Sequence, residues 1–254
     1  MDLTSVLGTL LAAFAIVGGA WLEGLQLSDI TVGTAALIVL GGTLAATLLS
    51  FPGNEVLRAV ALLPEVFISQ DRDFRSLITE ISSIAQIARK EGVLAIQQYR
   101  DSIQDPDFKR SVGYVMDGFD TASIEELLEG EAYLRAEEEE AAAQVWEGAG
   151  GYAPTIGILG AVLGLIHVMR SLDEPSKIGG GIAVAFVATI YGVASSNLLF
   201  LPWATKLKRK SAQKSLRREM VKLGVMGIHE GVNPAFLEEK LEIFLDESLR
   251  KKRA

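Results

Sequence analysis

The chain has 254 residues, of which 49% are apolar and only 7% aromatic, and its formal charge is −8. The apolar residues gather into long runs, which argues against an ordinary soluble enzyme. The sequence has no cysteine, which excludes disulfides and thiolate sites, and its two histidines are too few and too far apart to suggest a histidine metal cluster. Its acidic balance argues against nucleic acid as a partner.

Four stretches of the chain carry almost no charge over roughly the 20 residues that a helix needs to cross a bilayer. They predict an all-α integral membrane protein with four transmembrane helices, a helical domain between helices 2 and 3, and a helical C-terminal tail. We expect the first stretch to be a retained span and not a secretory signal, because Asp2 stands at its start without a basic residue. The predicted spans are about 3–22, 31–51, 148–169 and 178–205.

Basic residues predict the orientation of the spans. Nine Lys or Arg lie in 54–147 and thirteen from Lys206 onward, against two between spans three and four and none between spans one and two. Because basic residues stay on the cytoplasmic side, both termini are expected there. The predicted divisions are 1–53 (spans one and two), 54–147 (cytoplasmic domain), 148–205 (spans three and four) and 206–254 (cytoplasmic tail).

The segment between spans two and three shows helical periodicity. Leu77, Ile81 and Ile84 recur at helical spacing, and Pro106 interrupts the pattern. Ser123, followed three residues later by a glutamate, predicts a capping box that starts a new helix. In the tail, a helix resumes at residue 205, pauses at 231–234, and is followed by an amphipathic segment over 236–249.

The sequence contains no recognisable catalytic motif, so we expect no enzyme and no cofactor. Gly179 to Gly181 are not followed by the Gly-Lys-Ser/Thr of a phosphate loop, and His229 has no second histidine four residues away. Away from their ends, the spans also lack Asp, Glu, Lys and Arg. If the protein handles a transmembrane ion, the titrating group must therefore belong to another chain.

Small residues form helical stripes in spans three and four. Such stripes let helix backbones approach closely in a membrane. They favour equally a packing contact within the chain and a smooth surface for a partner helix. The residues are Gly157, Gly160 and Gly164 in span three and Ala185, Ala188 and Gly192 in span four.

Two prolines lie near the predicted inner boundary of the membrane. Pro154 is either a tolerated first-turn proline or part of a hinge, whereas Pro202 lies within an apolar helix and should kink it. Thr189 lies near the middle of span four, where its hydroxyl either bonds its own helix or lines a water path.

Several motifs, in order and over nearly the whole chain, resemble the MotA/PomA family of flagellar motor stator A subunits, in the MotA/TolQ/ExbB superfamily. The resemblance implies a motility and chemotaxis protein of the bacterial cytoplasmic (inner) membrane. It also implies a pentamer around a MotB-like B subunit, with ion flow generating torque on the rotor protein FliG. The motifs are Leu40-Gly-Gly-Thr-Leu-Ala-Ala-Thr, Ala88-Arg-Lys-Glu-Gly, Met116-Asp-Gly, Ala153-Pro-Thr-Ile-Gly, Leu172-Asp-Glu-Pro, Ala188-Thr-Ile-Tyr-Gly and Leu201-Pro-Trp-Ala.

The resemblance also implies roles for residues of the ion pathway. Pro154, followed by Thr155, and Pro202 match the prolines that couple ion flow to cytoplasmic movement. Thr189 matches the threonine beside the ion-carrying aspartate of the B subunit. Ala161 stands where sodium-type members carry a threonine, and this favours protons over sodium.

A second indication that the ion is a proton is Ala188, where sodium-type members often carry a hydroxyl residue.

The resemblance also implies which residues contact the rotor. Arg89 matches the family arginine that meets rotor charges, with Lys90 beside it. Gln97 replaces the glutamate that the family has at this position. The alternatives are a sodium-driven stator, an ExbB/TolQ-like energiser of three spans with an external N-terminus, and a passive membrane scaffold.

Overall fold

The computed structural model describes residues 2–69 and 73–245, apart from the side chains of residues 175–177, and this part of the chain is helical without a strand. The α-helices are α1 (Leu3–Leu22), α2 (Leu27–Ile30), α3 (Gly33–Ala36), α4 (Gly42–Ser50), α5 (Gly53–Leu62), α6 (Phe74–Glu91), α7 (Ile96–Tyr99), α8 (Pro106–Met116), α9 (Thr121–Arg170), α10 (Pro175–Ser195), α11 (Leu201–His229) and α12 (Pro234–Leu241). Two π-helical turns, Leu37–Gly41 and Ser196–Phe200, and four 3-10 turns, Leu63–Val66, Val93–Ala95, Arg100–Ser102 and Glu242–Phe244, connect them.

Within the part of the chain that the structure describes, four helical segments are long and apolar enough to cross a membrane, as predicted: Leu3–Leu22, Leu27–Ser50, Thr121–Arg170 and Ile178–His229. The second begins four residues before the predicted start at residue 31. A capping box between Gln26 and Asp29 starts the short helix α2 there, and the chain is helical again only from Gly33.

The third span is the end of a much longer helix than the sequence predicts. α9 begins at Thr121, so Pro154 lies far inside it, and the first-turn alternative is wrong. The helix starts where Asp120 accepts a hydrogen bond from the Ser123 backbone N–H at 2.9 Å, so Asp120 and not Ser123 is the cap. The Glu and Ala residues before the membrane are strong helix formers, and for this reason the helix does not stop at the boundary.

The fourth span also continues into the tail without a pause. A π turn and then α11 follow α10 directly, so no new helix starts at residue 205. The predicted interruption is present: Gly231 has a φ of +65° after α11, and Asn233 caps α12. The predicted amphipathic segment is helical through Phe244, and its residues 246–249 lie outside the described part.

The chain divides into two compact units, residues 1–70 with 138–209 and residues 71–137 with 210–254. The second unit has a continuous hydrophobic core from α6, α8, α11 and α12, and its larger buried members include Leu77, Ile81, Phe108, Met220 and Leu241. Leu77, Ile81 and Ile84 are therefore buried, as their spacing predicts. In the first unit, the buried clusters are small, and α1 has no buried residue.

Candidate functional site

Spans three and four touch backbone to backbone along their glycines. A Cβ at Gly157 would lie 2.9 Å from the Ala188 carbonyl oxygen, and one at Gly192 would lie 2.6 Å from the Ala153 carbonyl oxygen. A Cβ at Gly164 would lie 2.7 Å from the Ala185 backbone nitrogen. Only glycine permits this approach, because neither backbone can move away from a side chain.

The whole stripe of small residues is used in this contact. Gly157, Gly160, Gly164, Ala185, Ala188 and Gly192 are all buried within the single chain. Of the two alternatives, the structure has packing within the chain, and these six residues are not available as a partner-helix surface. The large side chains that α9 and α10 leave exposed include Ile158, Val162, Phe186, Ile190 and Val193.

The hydroxyl groups predicted for the ion pathway bond their own helices. Thr189 is half-buried and donates to the Ala185 carbonyl at 3.2 Å, and Thr155 donates to the Tyr152 carbonyl at 2.8 Å. Ala161 is half-buried, whereas Ala188 is fully buried, and its Cβ would lie 2.7 Å from a Cβ at Gly160. A hydroxyl at residue 188 would therefore meet α9.

Pro154 leaves one backbone carbonyl of α9 without its usual donor. In an α-helix the Gly150 carbonyl would accept from the N–H of residue 154, which proline lacks. The Ser196 hydroxyl donates to this carbonyl at 2.6 Å instead. A Cβ at Gly150 would lie 2.6 Å from Leu201 Cδ2, so the absent side chain makes room for the other helix.

Pro202 lies two residues after the end of a widened helical turn. Ser196–Phe200 is π-helical, and the Leu201 N–H reaches back to the Ser196 carbonyl, five residues earlier. A π turn is a recognised way for a helix to accommodate a proline. The sequence indicates both prolines and their similar depth. It does not indicate Ser196, for which the only signal is a polar Ser-Ser-Asn run at 195–197 inside an apolar span.

An aromatic cluster in the same unit includes Trp203, the residue that follows Pro202. The rings of Trp146 and Trp203 are 5.1 Å apart and nearly perpendicular, and Phe200 contacts both. Trp146 also donates to the Ala59 carbonyl at 3.0 Å. This cluster ties α9, α11 and α5 together, and our sequence analysis missed it because its members are far apart in the chain.

The predicted rotor-facing residues lie on the surface of the second unit. Arg89 and Lys90 are exposed in the last turn of α6, where cations also suit the helix dipole, and the helix ends at Gly92 with a φ of +89°. Gln97 is exposed in the following helix α7. These side chains are available to a partner.

The carboxylates of Glu126 and Glu131, in the first part of α9, differ in their environment. Glu131 already accepts from the Tyr114 hydroxyl at 2.8 Å, which raises the pKa of Tyr114, and pairs with Arg110 at 2.7 Å. Glu126, by contrast, is exposed. Glu131 therefore has a structural role in its own unit.

The comparisons with known proteins agree with one another, and the relatives and solved structures match along nearly the whole chain. The MotA/TolQ/ExbB proton channel family matches residues 99–220. Motility protein A of Bacillus subtilis is 35% identical over 255 residues, covering 100% of this chain and 94% of that protein. The structure of C. jejuni MotAB superposes with a TM-score of 0.91 at 31% identity, covering 100% of both chains. The flagellar MotAB stator complex of Bacillus subtilis gives 0.90 at 34% identity over 99% of both chains. This chain belongs to the MotA/TolQ/ExbB proton channel family, as one of its motility protein A members.

Proposed function

We propose that this chain is the A subunit of a flagellar motor stator, which conducts protons together with a MotB-like B subunit and converts their flow into torque. The observation that carries the proposal is the absence of Asp, Glu, Lys and Arg from the interior of all four spans. A family of proton channels needs a titrating group in the membrane, and here it has to come from the partner.

The exposed side of α9 and α10 supports a partner helix. Phe186, Ile190 and Val193 of α10 and Ile158 and Val162 of α9 are large, apolar and uncovered in the single chain. The similar solved structures are MotAB complexes. We propose that several copies of this chain, five by family resemblance, surround the B subunit with this side.

Protons are the proposed ion. A sodium ion needs several oxygen ligands in place of its water, whereas a proton needs a titratable group and a wetted path. Ala161 offers no oxygen, and the Thr189 hydroxyl already bonds its own helix. Because Ala188 packs against α9, its identity carries no information on the ion, and the inference rests on Ala161.

We further propose that the chain lies in the bacterial cytoplasmic membrane with both termini in the cytoplasm, and that it is not an enzyme and has no resident cofactor. The distribution of basic residues supports this orientation. Arg89, Lys90 and Gln97 would then face the rotor protein FliG from the cytoplasmic side.

The energy of ion flow is sufficient for this role. One charge crossing the membrane releases about 2.3 kcal/mol per 100 mV, which is several times thermal energy.

Proton flux through the complex in living cells tests the proposal. The chain, co-expressed with a MotB-like subunit that lacks its plug, should acidify the cytoplasm, and the chain alone should not. A proton uncoupler should stop swimming, whereas a change in the sodium gradient should leave the swimming speed unchanged. Current through the chain alone, or speed that follows sodium, would overturn the corresponding part of the proposal.

An ExbB/TolQ-like energiser is the nearest alternative, since the matching family includes such proteins. Four membrane-length helices and similarity to MotAB along the whole chain favour the stator. A reporter fused to the N-terminus separates the two, because only the stator topology places it in the cytoplasm.

A further inference from the structure

The carbonyl left unpaired by Pro154 is satisfied by another helix. A backbone carbonyl without a donor is costly in a membrane-embedded segment, where water is scarce. The Ser196 hydroxyl lies 2.6 Å from the Gly150 oxygen, and the Ser196 side chain is only 1% exposed. The hydroxyl thus donates to the carbonyl that would accept from the N–H of residue 154 if that residue were not proline.

Ser196 is also the first residue of the π turn that precedes Pro202. Its own carbonyl accepts from the Leu201 N–H, and Leu201 packs where Gly150 has no side chain. The two proline sites are therefore joined at one point. The hydrogen bond to the Gly150 carbonyl of α9 comes from Ser196, which belongs to the π turn that accommodates Pro202.

We propose that Ser196 is a positioning residue that couples the two proline sites. Its hydroxyl replaces the peptide donor that Pro154 lacks and holds this turn of α9 to the π turn before Pro202, so that both move as one element. The functional part of this inference rests on the proposed stator function. The structural part, in which the Ser196 hydroxyl replaces the missing N–H of residue 154, does not depend on that function.

A double-mutant cycle tests the exchange of donors without a working motor. The full chain is purified in detergent with a MotB-like subunit, and its thermal midpoint is compared for Ser196→Ala, Pro154→Ala and the double variant. Ser196→Ala should lower the midpoint by about 2–4 °C in the native background. In the Pro154→Ala background it should have almost no effect, because the alanine introduced at residue 154 carries an N–H that reaches the Gly150 carbonyl.

Ser195→Ala is the matched control. Ser195 is the adjacent residue and is buried as well, but its hydroxyl bonds the Gly192 carbonyl of its own helix at 3.3 Å. It should behave alike in both backgrounds. If Ser196→Ala lowers the midpoint equally in both backgrounds, or if the double variant assembles less well than Pro154→Ala, the inference is overturned.

The coupling itself is read from the ratio of torque to proton flux. In a non-motile host without its own stator subunits, Ser196→Ala should form complexes and conduct protons with a plugless B subunit as the native chain does. The torque at the same membrane potential should fall several-fold, whereas Ser195→Ala should turn the motor normally. Native torque from Ser196→Ala would refute the coupling role. Absence of flux and torque in the native chain would instead refute the proposed function.

Discussion

The Asp105 carboxylate caps helix α8 and pairs with Arg217 of α11 at the same time. One of its oxygens accepts from the Phe108 N–H at 2.8 Å, and the other lies 2.6 Å from an Arg217 guanidinium nitrogen. The Asp105 side chain is almost completely buried. A single residue therefore starts one helix and fastens it to another that is over 100 residues away in the chain.

Asp105→Ala should destabilise the protein by about 3–5 kcal/mol, because it removes both the carboxylate that faces the largely buried Arg217 guanidinium and the cap that starts a helix. The thermal midpoint of the full chain in detergent measures the effect. Asp101→Ala is the control, since the Asp101 side chain is fully exposed and pairs with the surface residue Lys109. Similar midpoints for the two variants would contradict the assigned role.

Gly164→Ala should separate spans three and four. The added Cβ would lie 2.7 Å from the Ala185 nitrogen and 2.8 Å from the Gly181 oxygen, and backbone atoms cannot yield as a flexible side chain can. We expect a loss of about 1–3 kcal/mol and less assembled complex by gel filtration. Gly151→Ala, in the same helix with no atom within 4 Å of its Cβ, should be neutral or slightly stabilising. The contact is misassigned if both variants behave alike.

Pro202→Ala should leave the complex assembled but reduce its torque strongly. Alanine restores the N–H at residue 202, which can then bond the Leu198 carbonyl and removes the reason for the π turn. Tethered-cell rotation measures torque, and fluorescent foci at the motor verify assembly. Pro64→Ala is a suitable control, because Pro64 stands at the start of a 3-10 turn, where a missing N–H costs little. Normal rotation by Pro202→Ala would make the π turn a purely structural feature.

Arg89→Glu should lower swimming speed by roughly twofold or more without changing proton flux, because its side chain is exposed on the second unit and belongs to none of the membrane-length segments. A reversed charge on the facing rotor residue should restore the speed. Flux that falls together with speed would mean that the substitution disturbs the channel and not the rotor contact.

The helical pattern in the sequence was sufficient to predict the location of the spans and of part of the core. Within a bilayer, an apolar run of this length can satisfy its backbone hydrogen bonds only as a helix. For this reason the first span has the predicted bounds, Leu3–Leu22. Leu77 and Ile81 are buried for the same kind of reason, since their spacing places them on one face of α6.

The ends of the long helices were not predictable from charge. Charge marks where the membrane ends, but a helix continues wherever its residues favour it. α9 therefore starts at Thr121, well before the predicted start of span three at residue 148. The same limit applies to α11, which runs through the predicted boundary at residue 205.

The sequence by itself determined an all-helical membrane protein with four spans and without Asp, Glu, Lys or Arg in their interior, because those properties depend on composition and local periodicity. Only the tertiary structure decided which surfaces the small residues cover and which donor serves the Gly150 carbonyl. A glycine stripe suits a helix of the same chain or of another equally well, and a serine hydroxyl can bond many carbonyls. The choice between such partners depends on which helices lie side by side, and sequence spacing carries no record of it.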